Sequence, residues 1–344
     1  MNQKIILQID GGGILGITPA IVLAELEKRL RIKTNNATLL IRDKLDLCCG
    51  TSTGAIMAAM VSAGVATDKI KQFYTVDGVD LFNNSANPFY TRVFKPKFDR
   101  EPFIKKFNQI MATATPYKKP DVTIGDIPNS ILFMATAYNL CSYKTEFVKS
   151  DDPNCFGLKL SDIITWSALS AAFYFGKVDA PDYQWIFRDS DTPPGKKNIP
   201  PRLPLKTGAV FQDGGQGTQN CTLAFALTEI FSRGWDRDNE IIIISLGTGS
   251  KTKYEAYESM VKTWNSTQAV KYLANQARAE ATPIQIMAAE YIAKWNDKIN
   301  LYRLDYEAKD EYSLDDTSHV AEYKQGAADI ISSPVFNNMV SAIL

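Results

Sequence analysis

The chain has 344 residues, 45% hydrophobic and 22% charged, the balance of a folded protein with a sizeable core and not of a disordered one. Lys plus Arg and Asp plus Glu number 38 each, so no overall field recruits nucleic acid or an anionic membrane, and any membrane attraction has to be local. No apolar run reaches the ~18 residues of a membrane span, and Met1 to Lys4 runs into Ile5 to Ile9 without the regions of a signal peptide. The expectation is a cytosolic protein, one large domain over residues 1–344, touching membranes only peripherally.

Ile5 to Ile9 reads as a buried strand broken by Gly11, Gly12 and Gly13, after which Thr18 and Pro19 open an amphipathic helix to about Leu30. Leu45 to Cys49 repeats the unit: a short apolar run, Gly50, then small residues from Ala55 to Ala63 that suit a buried helix. Cys48 and Cys49 fit there as buried small hydrophobes; five cysteines without ligand spacing describe neither a disulfide framework nor a metal site. From about 82 to 120 the text turns to aromatics, prolines and lysines around a helix from Pro102 to Met111, a candidate cap or lid. Ile131 to Asn139 and Thr145 to Lys149 read as strands, and Leu160 to Ala172 as a helix with Ser161 available as its cap. Five prolines and few large apolar groups mark about 188–206 as an exposed excursion. Ile241 to Leu246 is a strand entering Gly247-Thr248-Gly249, and Ser259 to about Trp295 is helical text. Alternating strands and helices predict an α/β fold with a mostly parallel sheet, whose active site gathers where strands end and helices begin.

Gly50-Thr51-Ser52-Thr53-Gly54 fits G-x-S-x-G between a strand and a small-residue helix, the setting that lets a serine project from a sharp turn. The bland alternative is an ordinary glycine-flanked turn. Asp10-Gly11-Gly12-Gly13-Ile14-Leu15-Gly16 satisfies G-x-G-x-x-G, so a dinucleotide site is one reading. A carboxylate at Asp10 speaks against pyrophosphate; the other uses of the turn are an oxyanion hole or a purely structural bend. The sole histidine, His319, stands in a polar stretch that reads as a helix cap. Asp213-Gly214-Gly215 offers a different base, a carboxylate presented by a glycine turn, against the plain reading of a surface Asp-Gly turn.

In this order, Asp-Gly-Gly-Gly-x-x-Gly at 10–16, Gly-Thr-Ser-x-Gly at 50–54 and Asp-Gly-Gly at 213–215, the chain resembles the patatin-like phospholipases, which are related to the catalytic domain of cytosolic phospholipase A2. Ser167 to Ala172, Ser245 to Gly249, Tyr302 to Leu304 and Leu314 to Ser318 extend the similarity over most of the chain. The resemblance implies a three-layer patatin-like fold and a phospholipase A or lysophospholipase activity by a Ser-Asp dyad: Ser52 attacks the ester and Asp213 takes its proton. It implies an oxyanion hole from Gly11, Gly12 and Gly13, with Thr53 adding a donor, supported by Asp10, Gly16, Gly50, Gly54, Gly214 and Gly215. It calls for a phospholipid or other acyl lipid as partner, and for no metal or cofactor. The chain departs from the family at Leu15, where Arg or Lys is usual, and at Phe173, where Pro is common. A nucleotide-binding protein and a catalytically idle lipid-binding module stand as the other readings. Phe173 to Phe187 supply aromatics for core or acyl slot, and Phe89 to Phe98, with Arg92, Lys95 and Lys97, mixes anchors and cations as interfacial loops do.

Overall fold

A computed structural model describes residues 2–92, 94–186, 205–217, 219–250 and 266–344. The excursion expected at about 188–206 falls outside them up to residue 204, as do Phe187 and the start of the helical text after Ser259.

Ile5, Leu7 and Ile9 face one side of the first strand and Ile6 the other, and both sides are buried. A strand covered on both faces has no need of a polar alternate, which is why Ile5 to Ile9 and Ile241 to Leu246 read as apolar runs. The strands are β1 (Asn2–Ile9), β2 (Leu47–Thr51), β3 (Leu132–Asn139), β4 (Lys144–Lys149), β5 (Val178–Ile186), β6 (Leu205–Asp213), β7 (Asn239–Leu246) and β8 (Ile299–Leu304). They form one sheet in the order β5-β6-β3-β2-β1-β7-β8, with β4 also paired to β3. From β3 to β8 neighbours run parallel; β4, β5 and β6 add the antiparallel part.

Helices cover both faces, giving three layers. Against Ile5, Leu7 and Ile9 pack α1 (Ile17–Thr34), α2 (Thr53–Ser62), α3 (Glu101–Ala114) and α4 (Leu160–Ser167). Against Ile6, Leu47 and Ile243 lie α5 (Leu223–Ser232) and α6 (Ser266–Trp295). The chain then returns to the first face with α7 (Val320–Ser332) and α8 (Pro334–Ala342). The α/β class and the mostly parallel sheet expected from the sequence are what the chain adopts.

Two local expectations are corrected. The helix from Leu160 ends at Ser167 and not Ala172, because Leu169 N–H reaches back to the Ile164 carbonyl at 3.2 Å and closes the last turn. Ser161 is not its cap; Lys159 precedes the helix, and Ser161 is buried in its first turn. In the expected cap region, α3 buries Phe103, Phe107 and Met111, one face of a helix at four-residue spacing.

Packing is tight where α2 crosses the end of β1. A Cβ on Gly54 would stand 2.1 Å from the Ile9 carbonyl oxygen, and one on Gly50 would stand 2.4 Å from the Gly54 carbonyl carbon. Backbone cannot yield as a flexible side chain would. Gly54→Ala is expected to lower the urea-derived unfolding free energy by roughly 2–3 kcal/mol. Gly157→Ala, where a Cβ meets nothing within 4 Å, should stay within ~0.5 kcal/mol of the parent.

Candidate active site

Ser52 stands between β2 and α2 with φ 54° and ψ −124°, left-handed backbone that a side chain rarely adopts. Such a conformation costs about 1–3 kcal/mol and persists only where its surroundings over-determine it. Here they do: Ser52 N–H donates to Ser167 Oγ at 3.0 Å, its carbonyl accepts from Ala55 and Ile56, and glycines two residues away on either side admit the turn.

One edge of β3 is shared by two strands. β4 occupies one edge of β3 from Met134 to Asn139, so the other is taken first by β2, with Thr51 opposite Thr136, and then by antiparallel β6, with Asp213 opposite Ala137. Thr136 and Ala137 are consecutive, so Thr51 and Asp213 differ by a single strand step, ~3.3 Å. The register thus brings the Ser52 turn and the Asp213 turn together, from positions far apart in the chain. Asp213 is buried, its Oδ1 accepts Gly215 N–H at 2.8 Å, and its own N–H donates to the Ser170 carbonyl at 3.4 Å. A Cβ on Gly214 would stand 2.5 Å from Thr136 Oγ1 and 3.1 Å from Thr51 Cγ2, so Gly214 closes the junction.

The first glycine turn lies against the same point. The Cβ position of Gly11 is 3.2 Å from Ser52 Cβ. Gly11 N–H is committed to the Asn220 carbonyl at 3.0 Å, which removes it from the expected set of donors; among the described residues Gly12 and Gly13 N–H have no such partner. Gly13 has φ 57° and no room for a Cβ, which would sit 2.1 Å from the Leu314 carbonyl oxygen. Leu314 also accepts Ile14 N–H at 2.8 Å, and Thr248 fills the Cβ position of Gly12 while its hydroxyl donates to the Gly11 carbonyl at 2.8 Å. Thr53 opens α2, where the first-turn N–H groups have no intrahelical partner. Its hydroxyl is bonded to Tyr74 at 2.7 Å and leaves no space for a side chain at Gly16.

Asp10 turns away from the glycine turn. Its Oδ2 accepts from Arg303 at 2.7 Å and its Oδ1 from Gln8 at 2.8 Å; Arg303 also reaches Asp305 at 2.7 Å and Ser245 at 2.9 Å. Burial raises the Asp305 carboxyl above its ordinary range, with Arg303 opposing and Asp10 adding to the rise. For Arg303, burial works against the charged form, but Asp10 and Asp305 overcome it and hold the guanidinium more firmly protonated. The electrostatic objection to pyrophosphate therefore changes its basis, since the Asp10 charge is countered by a buried cation.

Sequence reasoning missed Asn220, Thr248 and Arg303 as supports. Thr248 and Arg303 lie in stretches noted for family similarity, while Asn220 carries no signal. Leu15 packs in the core. His319 precedes α7, and its Nδ1 lies 2.9 Å from Asp316 of its own turn, with its ring 4.5 Å from Tyr312, as a cap-region histidine.

The family model for patatin-like phospholipases matches residues 7–216. Patatin group J-1 of Solanum tuberosum is 27% identical over 278 residues, covering 78% of this chain and 64% of the relative. Patatin-12 of the same plant gives the same three values of 27%, 78% and 64%. The chain thus spans less than two thirds of the length of these curated relatives. Among solved structures, VipD from Legionella pneumophila aligns with 99% of this chain and 67% of its own, at 13% identity and a TM-score of 0.44, a likeness that carries no argument.

Removing the cation between two buried carboxylates should be severe. Arg303→Met is expected to lower stability near neutral pH by roughly 3–5 kcal/mol. Unpaired carboxylates have raised folded-state pKa values, so the deficit should shrink as pH falls and they protonate. Thermal denaturation at acidic and neutral pH checks both; a deficit independent of pH would assign the loss to packing.

Proposed function

Because the chain belongs to the patatin-like phospholipase family, we propose that it is a lipid acyl hydrolase of phospholipase A or lysophospholipase type, working through Ser52 and Asp213 without a histidine. The observation that carries this reading is the shared edge of β3, where the end of β2 and the end of β6 meet. A serine hydroxyl is a poor nucleophile unless a base takes its proton. The sheet register supports Asp213 in that role, since the end of β6 pairs with β3 one residue beyond the end of β2, while the sole histidine is occupied in its own loop.

In the proposed reaction Ser52 Oγ attacks the ester carbonyl as its proton passes to Asp213. The carbonyl oxygen takes the negative charge and is met by Gly12 and Gly13 N–H, with Thr53 N–H from the first turn of α2, where the helix dipole adds to the effect. As the carbonyl re-forms, the bond to the leaving oxygen breaks and Asp213 returns the proton to that alcohol. A water, deprotonated in its turn by Asp213, releases the fatty acid and restores Ser52. Gly11 serves as a crossing point for Asn220 and Thr248, its N–H spent on the Asn220 carbonyl and not on the oxyanion.

The dinucleotide reading is disfavoured by a specific contact. Phosphate binding at a glycine turn uses open N–H groups at the helix start, and Ile14 N–H is already bonded to the Leu314 carbonyl. As for an idle module, the glycines that admit the strained serine are all present. Membrane contact follows from the proposed substrate and is peripheral here; no helix among the described residues is long and apolar enough to cross a bilayer.

Labelling by a fluorophosphonate, read by intact-protein mass spectrometry, tests the mechanism. The parent and His319→Ala should label; Ser52→Ala should not, and Asp213→Asn should lose at least about 10³-fold in labelling and ester-hydrolysis rate. An inert His319→Ala would transfer the base to the histidine.

A further inference from the structure

Four large aromatic side chains stand in solvent: Phe89 is 82% exposed, Tyr90 80%, Phe94 91% and Phe173 80%. They come from two segments that are packed together. Phe98 N–H donates to the Tyr174 carbonyl at 2.8 Å, the Phe98 and Tyr174 rings stack at 6.5 Å, and the Cβ position of Gly176 lies 3.6 Å from Pro96. Beneath them Phe98, Phe103 and Phe175 form a small buried cluster that gives the exposed rings a fixed base. Isolated surface aromatics need no explanation, but several rimmed by one sign of charge mark an interaction surface.

The charge is positive. Residues 85–98 contain Arg92, Lys95 and Lys97 and no acidic residue. The structure divides these cations. Lys97, one of the three cations noted in this segment, is paired with Asp315, whereas Arg92 and Lys95 are exposed and the Arg92 guanidinium lies 5.7 Å over the Phe89 ring. Aromatic rings with an apolar body, flanked by cations, match the boundary of a bilayer, where rings enter at headgroup level and cations meet anionic lipid.

One segment of chain links this surface to the site. The segment that carries Phe173 begins at Ser167, whose hydroxyl accepts Ser52 N–H, and passes Ser170, whose carbonyl accepts Asp213 N–H. A lipid surface meeting Phe173 is therefore a few residues along one segment from both candidate reacting groups. Resting on the lipid-hydrolase reading, we propose that Phe89, Tyr90, Phe94 and Phe173, with Arg92 and Lys95, form the face by which the protein docks on anionic phospholipid bilayers and presents its site to them.

The probe is vesicle co-sedimentation, with phosphatidylcholine alone or doped with phosphatidylglycerol, using full-length protein that also carries Ser52→Ala so that the lipid stays intact. Changing Phe89, Tyr90 and Phe94 together to Ser should weaken binding roughly a hundredfold or more, since each ring loses an apolar burial. Lys95→Glu should weaken binding to the doped vesicles by ~10- to 30-fold, less at high salt, and leave the undoped ones nearly unchanged. A second exposed stripe on α6, Met287, Tyr291 and Trp295, gives the control, and its Ser variants should bind as the parent does. Unchanged binding by the triple variant, or equal loss from the α6 variants, overturns the docking face, as would parent protein that fails to bind either vesicle. With Ser52 restored, the triple variant should hydrolyse a water-soluble short-chain ester at the parental rate, which also establishes that it folds. A parent inert on that ester sinks the hydrolase reading instead, whatever the vesicles show.

Discussion

A β-strand has only two edges, and along β3 one of them belongs to β4 while the other is divided between β2 and β6. That division fixes the rest of the site. β2 has to stop at Thr51 for β6 to begin its pairing at Ala137, and the chain leaving β2 must turn there, at Ser52. Because β6 runs antiparallel, it is its last residue, Asp213, that arrives at the junction. Lengthening either strand by a residue would move one side chain to the opposite face.

The two glycine turns and the strands that lead into them were legible because β1, β2 and β7 are buried on both faces and spell continuous apolar runs. The strands at the margins were not. β6 carries Lys206, Thr207, Gly208 and Gln212 among its apolar residues, and β8 carries Asn300 and Arg303, so neither looks like core text. Their identity depends on neighbours distant in sequence. Arg303 is the sharpest case: a charged residue reads as surface, and only the convergence of Asp10, Asp305 and Ser245 makes burial tolerable. Asn220 illustrates the remaining limit, since one amide in a loop acquires its role by lying between the glycine turns at 11 and 215.

The departure at Leu15 has a packing account. The side chain lies in the apolar cluster under α1 and α2, where an unpaired cation would be costly. The nearby cation of this chain enters from the opposite face of the sheet, through Arg303 on Asp10, and bears on where the glycine turn begins and not on the carbonyl it would serve. Loop 313–317 holds that turn from the outside: Leu314 bonds Ile14, Asp315 pairs with Lys97, and Ser313 and Thr317 meet Tyr174 and Asn83.

The bond from Ile14 N–H to the Leu314 carbonyl joins residues three hundred positions apart in the numbering. During synthesis the ribosome releases the serine and aspartate turns well before Leu314, so a growing polypeptide holds both side chains while the amides at 12 and 13 still lack their outer buttress. Closing so long a loop costs chain entropy that only the finished contact offsets. A growing polypeptide can gain this support only after both turns have been synthesised.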